Sequence, residues 1–111
     1  MPPLLWSSVP YGNRTAFADL IGSVELWFAG LAQEIHALTG TSIQRPPIGI
    51  GGGKAWLLAV QQAYTEACSA LQISPPGDLS SYDLSSRNDF NGWCFTLAQE
   101  SERLRIAAGL P

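Results

Sequence analysis

The chain has 111 residues, of which 46% are hydrophobic and 14% are charged, and its formal net charge is −3 at pH 7. This length suits a single domain, and the apolar residues are numerous enough to build a core. The charged fraction lies well below the typical value of about 25%. An acidic chain whose only lysine is Lys54 lacks the basic face that nucleic-acid binding requires, so DNA or RNA is excluded as the main partner.

The first thirteen residues, MPPLLWSSVPYGN, contain three prolines and show no helical period, which predicts an extended N-terminal arm. The arm is nevertheless richer in apolar side chains than a disordered tail. We expect it to lie against an apolar surface, either of its own bundle or of a neighbouring subunit. Its candidate interaction residues are Leu4, Leu5, Trp6 and Tyr11, with Trp6 and Tyr11 as the anchors.

A first helix is predicted over residues 14–39, with Asn13 or Thr15 as its N-cap and Gly40 just past its end. Its apolar residues recur at intervals of three and four, as one face of a helix requires. These residues are Phe17, Leu20, Ile21, Val24, Trp27, Phe28, Leu31, Ile35 and Leu38. Gly22 and Gly30 lie on a second, small-residue face, which indicates either a close helix–helix approach or tolerated sequence variation. Asp19 and Glu25 interrupt the most apolar segment, so a membrane span is not expected.

The stretch RPPIGIGGGKAW, residues 45–56, resembles a phosphate-binding loop only in part. Such a loop needs a glycine where this chain has Ile48 and a hydroxyl where it has Ala55. The simpler interpretation is a joint between two helices, with an anion site at the following helix N-terminus as a weaker alternative. Gly51, Gly52 and Gly53 are therefore candidate residues for contact with an adjacent subunit.

Two further helices are predicted, over about residues 54–73 and 87–108. The inward residues of the second are Trp56, Leu57, Val60, Tyr64, Cys68 and Leu71, and those of the third are Phe90, Trp93, Cys94, Leu97, Leu104 and Ala108. Ser86, with Asp89 three residues later, predicts a variant of the capping box at the start of the third helix. The pair Asn91-Gly92 also allows this helix to begin one turn later. The loop 74–86 between the helices repeats D-L-S-S and carries Tyr82, a further candidate for contact with a neighbour.

No enzyme site emerges from the residue pattern. Cys68 and Cys94 are predicted to be buried thiols, with a disulfide between them as the alternative, and His36 has no partner at metal-ligand spacing. No nucleophile-elbow motif occurs, and Asp78 and Asp83 are typical of turns. We therefore predict no catalytic residue, no metal site and no cofactor. No secretion signal is evident, which predicts a soluble protein, intracellular or associated with a virion.

Together these observations predict an all-α, three-helix bundle-like domain over residues 14–111, preceded by the arm at residues 1–13. Four tryptophans in so short a chain favour contact with other proteins. The leading hypothesis is a non-enzymatic structural or assembly subunit, for example a connector, adaptor or decoration protein of a phage virion. The alternatives are a small acidic regulatory protein that binds one partner, and an accessory subunit of a hetero-oligomeric complex.

Overall fold

A computed structural model of the chain describes residues 11–44 and 53–109. These residues form three helices and no strand: α1 (Arg14–Thr39), α2 (Lys54–Ala70) and α3 (Arg87–Ala107). The predicted all-α, three-helix fold is confirmed. The candidate interaction residues Leu4, Leu5, Trp6, Gly51 and Gly52 lie outside the described residues.

The three helices run in the same direction. Between α2 and α3, Trp56 packs on Trp93, and Tyr64, further along α2, contacts Ser101, further along α3. Between α1 and α2, the indole N–H of Trp56 donates to Glu25 at 3.3 Å, and the end of α1 meets the end of α2. Helices joined by short turns are antiparallel neighbours, so parallel neighbours need long connections. The connections here are residues 40–53 and 71–86. Each is long enough to carry the chain back to the end of the bundle at which the helices begin.

The second of these connections, residues 71–86, is a return segment that packs along α2 and α3. Near its start, Arg103 donates to the carbonyl oxygen of Ser74 at 2.8 Å, and near its end the Asp83 amide donates to the Asp89 carboxylate at 2.8 Å. Leu79, between them, is buried in the core. The two D-L-S-S repeats form the same turn, because each aspartate accepts hydrogen bonds from the amide and the hydroxyl of the serine two residues later.

The core consists of the inward faces of all three helices and Leu79. Its largest buried side chains are Trp56, Trp93, Tyr64, Phe28, Leu31, Ile35, Leu97 and Leu104. All six inward positions predicted on α3 are buried. The prediction was wrong for Leu38, which is 60% exposed although Ile35, one turn earlier, is fully buried. Phe17 and Leu71 are only partly buried at the edge of the core.

The helix ends follow from local hydrogen bonds. Asn13, one of the two predicted N-caps, caps α1 by accepting from the Ala16 amide at 2.9 Å, and Gly40 adopts the left-handed conformation as predicted. The helix α2 ends at Ala70 rather than near residue 73, because Gln72 is left-handed, with φ 59°. The amide of Ile73 then bonds to Cys68 O and that of Gln72 to Ser69 O, which is a Schellman motif.

One further expectation about the helices is corrected, and for Gly22 one of the two predicted alternatives is not observed. Ser86 is the N-cap of α3, and the helix continues through Asn91 and Gly92, but the predicted capping box does not form. The Asp89 carboxylate accepts instead from the Asp83 amide in the return segment. A Cβ built on Gly22 would meet no heavy atom within 4 Å, so this glycine makes no close approach to another helix among the described residues.

By length and composition, α1 is also apolar enough to cross a membrane, although only 33% of its most apolar stretch is buried within the fold. Core helices of soluble proteins pass the same test, and this finding assigns no membrane span. It does show that α1 has apolar and small side chains on its outward face as well as on its inward face.

Candidate protein-interaction surface

Large apolar side chains are exposed on the outward face of every helix. Leu26 of α1 is 77% exposed, Leu58 of α2 is 52% exposed, and Phe95 and Ile106 of α3 are 69% and 64% exposed. Single exposed apolar residues are ordinary in soluble proteins. The informative feature is their distribution around the whole bundle, combined with the low charge content of the chain.

On α3 two of these residues share one line. Phe95 and Ile106 are separated by three helical turns, about 16 Å along the axis at 1.5 Å per residue. Gln99 and Glu102 lie between them at four- and three-residue steps and are also exposed. We call these four residues the α3 stripe. Their spacing places them opposite the buried face that contains Trp93, Leu97 and Leu104.

The sequence analysis did not single out the α3 stripe, although the signal was present. Phe95 and Ile106 are out of phase with the inward residues of the same helix, so neither fits the core face. An apolar residue that is out of phase with a well-formed stripe is expected on the surface. The same reasoning identifies Leu26 on α1 and Leu58 on α2.

Tyr11, a predicted anchor for a neighbouring subunit, contacts its own chain. Its hydroxyl donates to the carbonyl oxygen of Ser85, and its ring packs edge-on against Phe90 with ring centroids 5.7 Å apart. The Arg87 guanidinium lies 5.3 Å from the centre of the same ring. These contacts fix the start of the chain's described part to the start of α3. A contact between Tyr11 and a partner stays a prediction.

Tyr82 is likewise held within the chain. Its hydroxyl lies 3.1 Å from the Thr96 hydroxyl, and its ring passes so close to Gly92 that an added Cβ there would be 3.1 Å from Tyr82 Cε1. Gly92 therefore makes room for the return segment to pack on α3. Gly53 is the N-cap of α2 and accepts from the Leu57 amide at 3.0 Å. Contacts of Tyr82 or Gly53 with another subunit also remain predictions.

A polar cluster, whose contact between Tyr64 and Ser101 the sequence analysis missed, lies between α2, α3 and the return segment. Tyr64 and Ser101 are buried, and their hydroxyl oxygens are 2.8 Å apart. Glu100 is also buried and forms an ion pair with Arg103, which in turn binds the backbone and side chain of Ser74. Desolvation raises the pKa of Tyr64 well above its ordinary value of 10.

The cluster joins α2, α3 and the return segment. A tyrosine whose pKa is raised by burial stays protonated at neutral pH, so it cannot act as a base toward Ser101. Arg103 connects a buried carboxylate to the return segment, which fixes that segment to α3. Ser101 and Glu100 are therefore polar side chains of the bundle interior, and the apolar periodicity of α3 does not identify them.

Both cysteines are buried and free, so the predicted disulfide alternative does not form. Burial raises the pKa of Cys68 above 9 and that of Cys94 to about 11. Since the thiolate is the reactive form, both thiols are poor nucleophiles at neutral pH. Within residues 11–44 and 53–109, no group of three or more His, Cys, Asp or Glu side chains could hold a metal ion.

Comparisons with protein-family models, with curated proteins and with solved structures find no match to this chain. Its function must therefore be argued from its own residues.

Proposed function

We propose that this protein is a non-enzymatic subunit of a larger protein assembly and that it contacts other protein subunits through the outward faces of its helices. The single observation that supports this proposal most is the α3 stripe, in which Phe95 and Ile106 are 69% and 64% exposed on one line. Connectors, adaptors and decoration proteins of virions are examples of this class of subunit.

The distribution of exposed apolar side chains favours several neighbours over one. Leu26, Leu58 and the α3 stripe lie on three different helices, whose inward faces share one core. A regulatory protein that covers one partner needs one apolar patch with a polar remainder. A subunit surrounded by others in a ring or shell uses several faces, and this chain has apolar groups on several faces.

The energy available at the α3 stripe is large enough to matter. Complete burial of a Phe or Ile side chain contributes about 1.5–3 kcal/mol, so burying the exposed parts of Phe95 and Ile106 contributes roughly 3 kcal/mol together. That corresponds to about a hundredfold change in a dissociation constant. Removing both side chains should therefore weaken association measurably if the stripe is an interface.

The test is the mass in solution of the full, untagged chain, measured by light scattering over a wide concentration range. The wild-type chain should associate, and the double variant Phe95→Ser/Ile106→Ser should need at least about tenfold higher concentration to do so. Leu38→Ser is the matched control, because it removes an exposed apolar side chain at the end of α1. It should change association much less. Circular dichroism should show equal helix content in all three proteins.

A wild-type chain that is monomeric at every concentration would contradict self-association. The two alternatives drawn from the sequence, a regulatory protein and an accessory subunit of a hetero-oligomer, both predict that result. Equal association of the wild type and the stripe variant would contradict the assignment of the interface to α3.

A further inference from the structure

The α3 stripe has a spacing and an order of side chains that identify its partner. Its members, Phe95, Gln99, Glu102 and Ile106, are apolar, polar, polar and apolar in chain order, and all four are exposed. They follow one another at steps of four, three and four residues, which is the spacing of the a and d positions along the seam of a coiled coil. The opposite face of α3 packs in the core of its own chain, so the stripe is a second seam on the same helix.

This second seam is complementary to itself when two copies meet in opposite directions. With the centre of the contact between Gln99 and Glu102, an antiparallel copy of α3 places Phe95 against Ile106 of the second copy. The same arrangement places Gln99 against Glu102 of the second copy. Each pair occurs twice, because a twofold axis uses the same surface on both subunits. Both apolar side chains then leave water, and each carboxylate faces an amide group that can donate a hydrogen bond.

Parallel pairing of the same two helices would be less favourable. It would place every residue of the stripe against its own copy, so Glu102 would face Glu102. Like charges that meet at an interface lower the affinity and act against that arrangement. The antiparallel pair avoids this contact and keeps an apolar residue against an apolar residue at both ends of the stripe.

The carboxylate of Glu102 is held in place and still has room for a donor from a second copy. Arg105 Nε donates to one of its oxygens at 2.9 Å, and Arg105 Nη2 donates to the other. A carboxylate has about four acceptor positions, so the Gln99 amide of a second copy can bind without displacing Arg105. The Glu102 side chain is 53% exposed, which leaves it accessible to that amide.

The parallel course of α1, α2 and α3 favours the same arrangement. All three helices begin at one end of the bundle, where their partial positive charges lie together, and their negative ends lie at the other. Two antiparallel copies side by side bring each end of one bundle toward the opposite end of the other. Two parallel copies would bring like ends together.

We infer that the partner of the α3 stripe is a second copy of this chain, bound by antiparallel pairing of the two α3 helices about a twofold axis between Gln99 and Glu102. The inference rests on the proposed function, because it names the partner of the same surface. A contact between two helices lies at the low end of specific interfaces, below about 1,200 Å² in total, so a dissociation constant in the micromolar range is expected. Leu26 and Leu58, on the other helices, stay available for further contacts.

The first test measures the distance between spin labels on Asn88→Cys, by pulsed electron paramagnetic resonance of the full chain at concentrations where it associates. Asn88 is exposed and lies about two turns before Phe95, so it extends past Ile106 of the second copy and the label does not enter the contact. Antiparallel pairing separates the two labels by about 38 Å along the helix axis, whereas parallel pairing brings them within about 15 Å. The wild-type chain is the control and should take up little label, because Cys68 and Cys94 are buried.

The second test changes the charge at Gln99 and measures association by light scattering. Gln99→Lys should tighten association at least about threefold, because antiparallel pairing places each new ammonium group against Glu102 of the second copy. Parallel pairing would place two lysines against each other and weaken association. Gln62→Lys, which adds the same charge at an exposed position on α2, is the matched control and should change the dissociation constant less than about twofold.

The outcomes separate this inference from the proposed function. Association with labels closer than about 20 Å, or with no distance near 38 Å, would overturn the antiparallel pairing and leave the assembly function standing. Weaker association of Gln99→Lys than of Gln62→Lys would do the same. A wild-type chain that is monomeric at every concentration would contradict both.

Discussion

Replacing Tyr64 or Ser101 tests whether the buried polar cluster stabilises the bundle as a unit. The two hydroxyl oxygens are 2.8 Å apart, and both residues are buried, so the Tyr64 hydroxyl depends on Ser101 for its hydrogen bond. Ser101→Ala leaves the Tyr64 hydroxyl buried without this partner, which costs about 1–3 kcal/mol. Tyr64→Phe should cost less, about 1 kcal/mol, because a helical serine can turn its hydroxyl to the carbonyl four residues earlier.

The double variant Tyr64→Phe/Ser101→Ala removes both polar groups and leaves no unsatisfied hydroxyl. Its loss of stability should therefore be smaller than the sum of the single losses, with a coupling of about 1 kcal/mol. Urea unfolding followed by circular dichroism on all four proteins gives each free energy of unfolding. Additive losses, with a coupling below about 0.3 kcal/mol, would refute the view that the pair is one buried hydrogen-bonded unit.

Two further predictions concern the thiol of α3 and the end of α2. Burial raises the pKa of Cys94 from 9 to about 11, so above pH 9 the unfolded chain loses this proton while the folded chain keeps it. This group should leave the free energy of unfolding unchanged below pH 9 and should lower it between pH 9 and about 11. In Cys94→Ala, the free energy of unfolding from urea titrations should fall less steeply with pH over the same range. Gln72→Gly should stabilise the protein by about 0.5–1 kcal/mol, because Gln72 has φ 59° and glycine adopts this conformation without strain. The matched control Gln62→Gly, in the middle of α2, should lower the free energy of unfolding by about 1 kcal/mol. The argument would be contradicted if Gln62→Gly stabilised the protein, or if Gln72→Gly did not.

The sequence was sufficient for features that depend on local periodicity. Phe90, Trp93 and Leu97 are buried as their spacing requires, since a helix repeats every 3.6 residues whatever surrounds it. Asn13 and Gly40 were recognised as caps because their side-chain and backbone preferences act within a few residues.

Features that depend on tertiary contacts were not predicted. The predicted end of α2 was too late, because a helix end is usually marked by a glycine in the left-handed conformation, and here that residue is Gln72. The burial of Ser101 and Glu100 was not predicted, because Ser101 lies against Tyr64 of α2 and Glu100 lies against Gly77 of the return segment.

The parallel arrangement of the helices also has a consequence for how fast the chain folds. Each return to the starting end places contacting residues far apart in sequence: Tyr64 and Ser101 are 37 residues apart, and Glu25 and Trp56 are 31 apart. A chain must close such loops before their contacts can offset the lost entropy, and folding slows as the mean sequence separation of contacts rises. This bundle should therefore fold more slowly than antiparallel helical bundles of equal length, even though its secondary structure is entirely local.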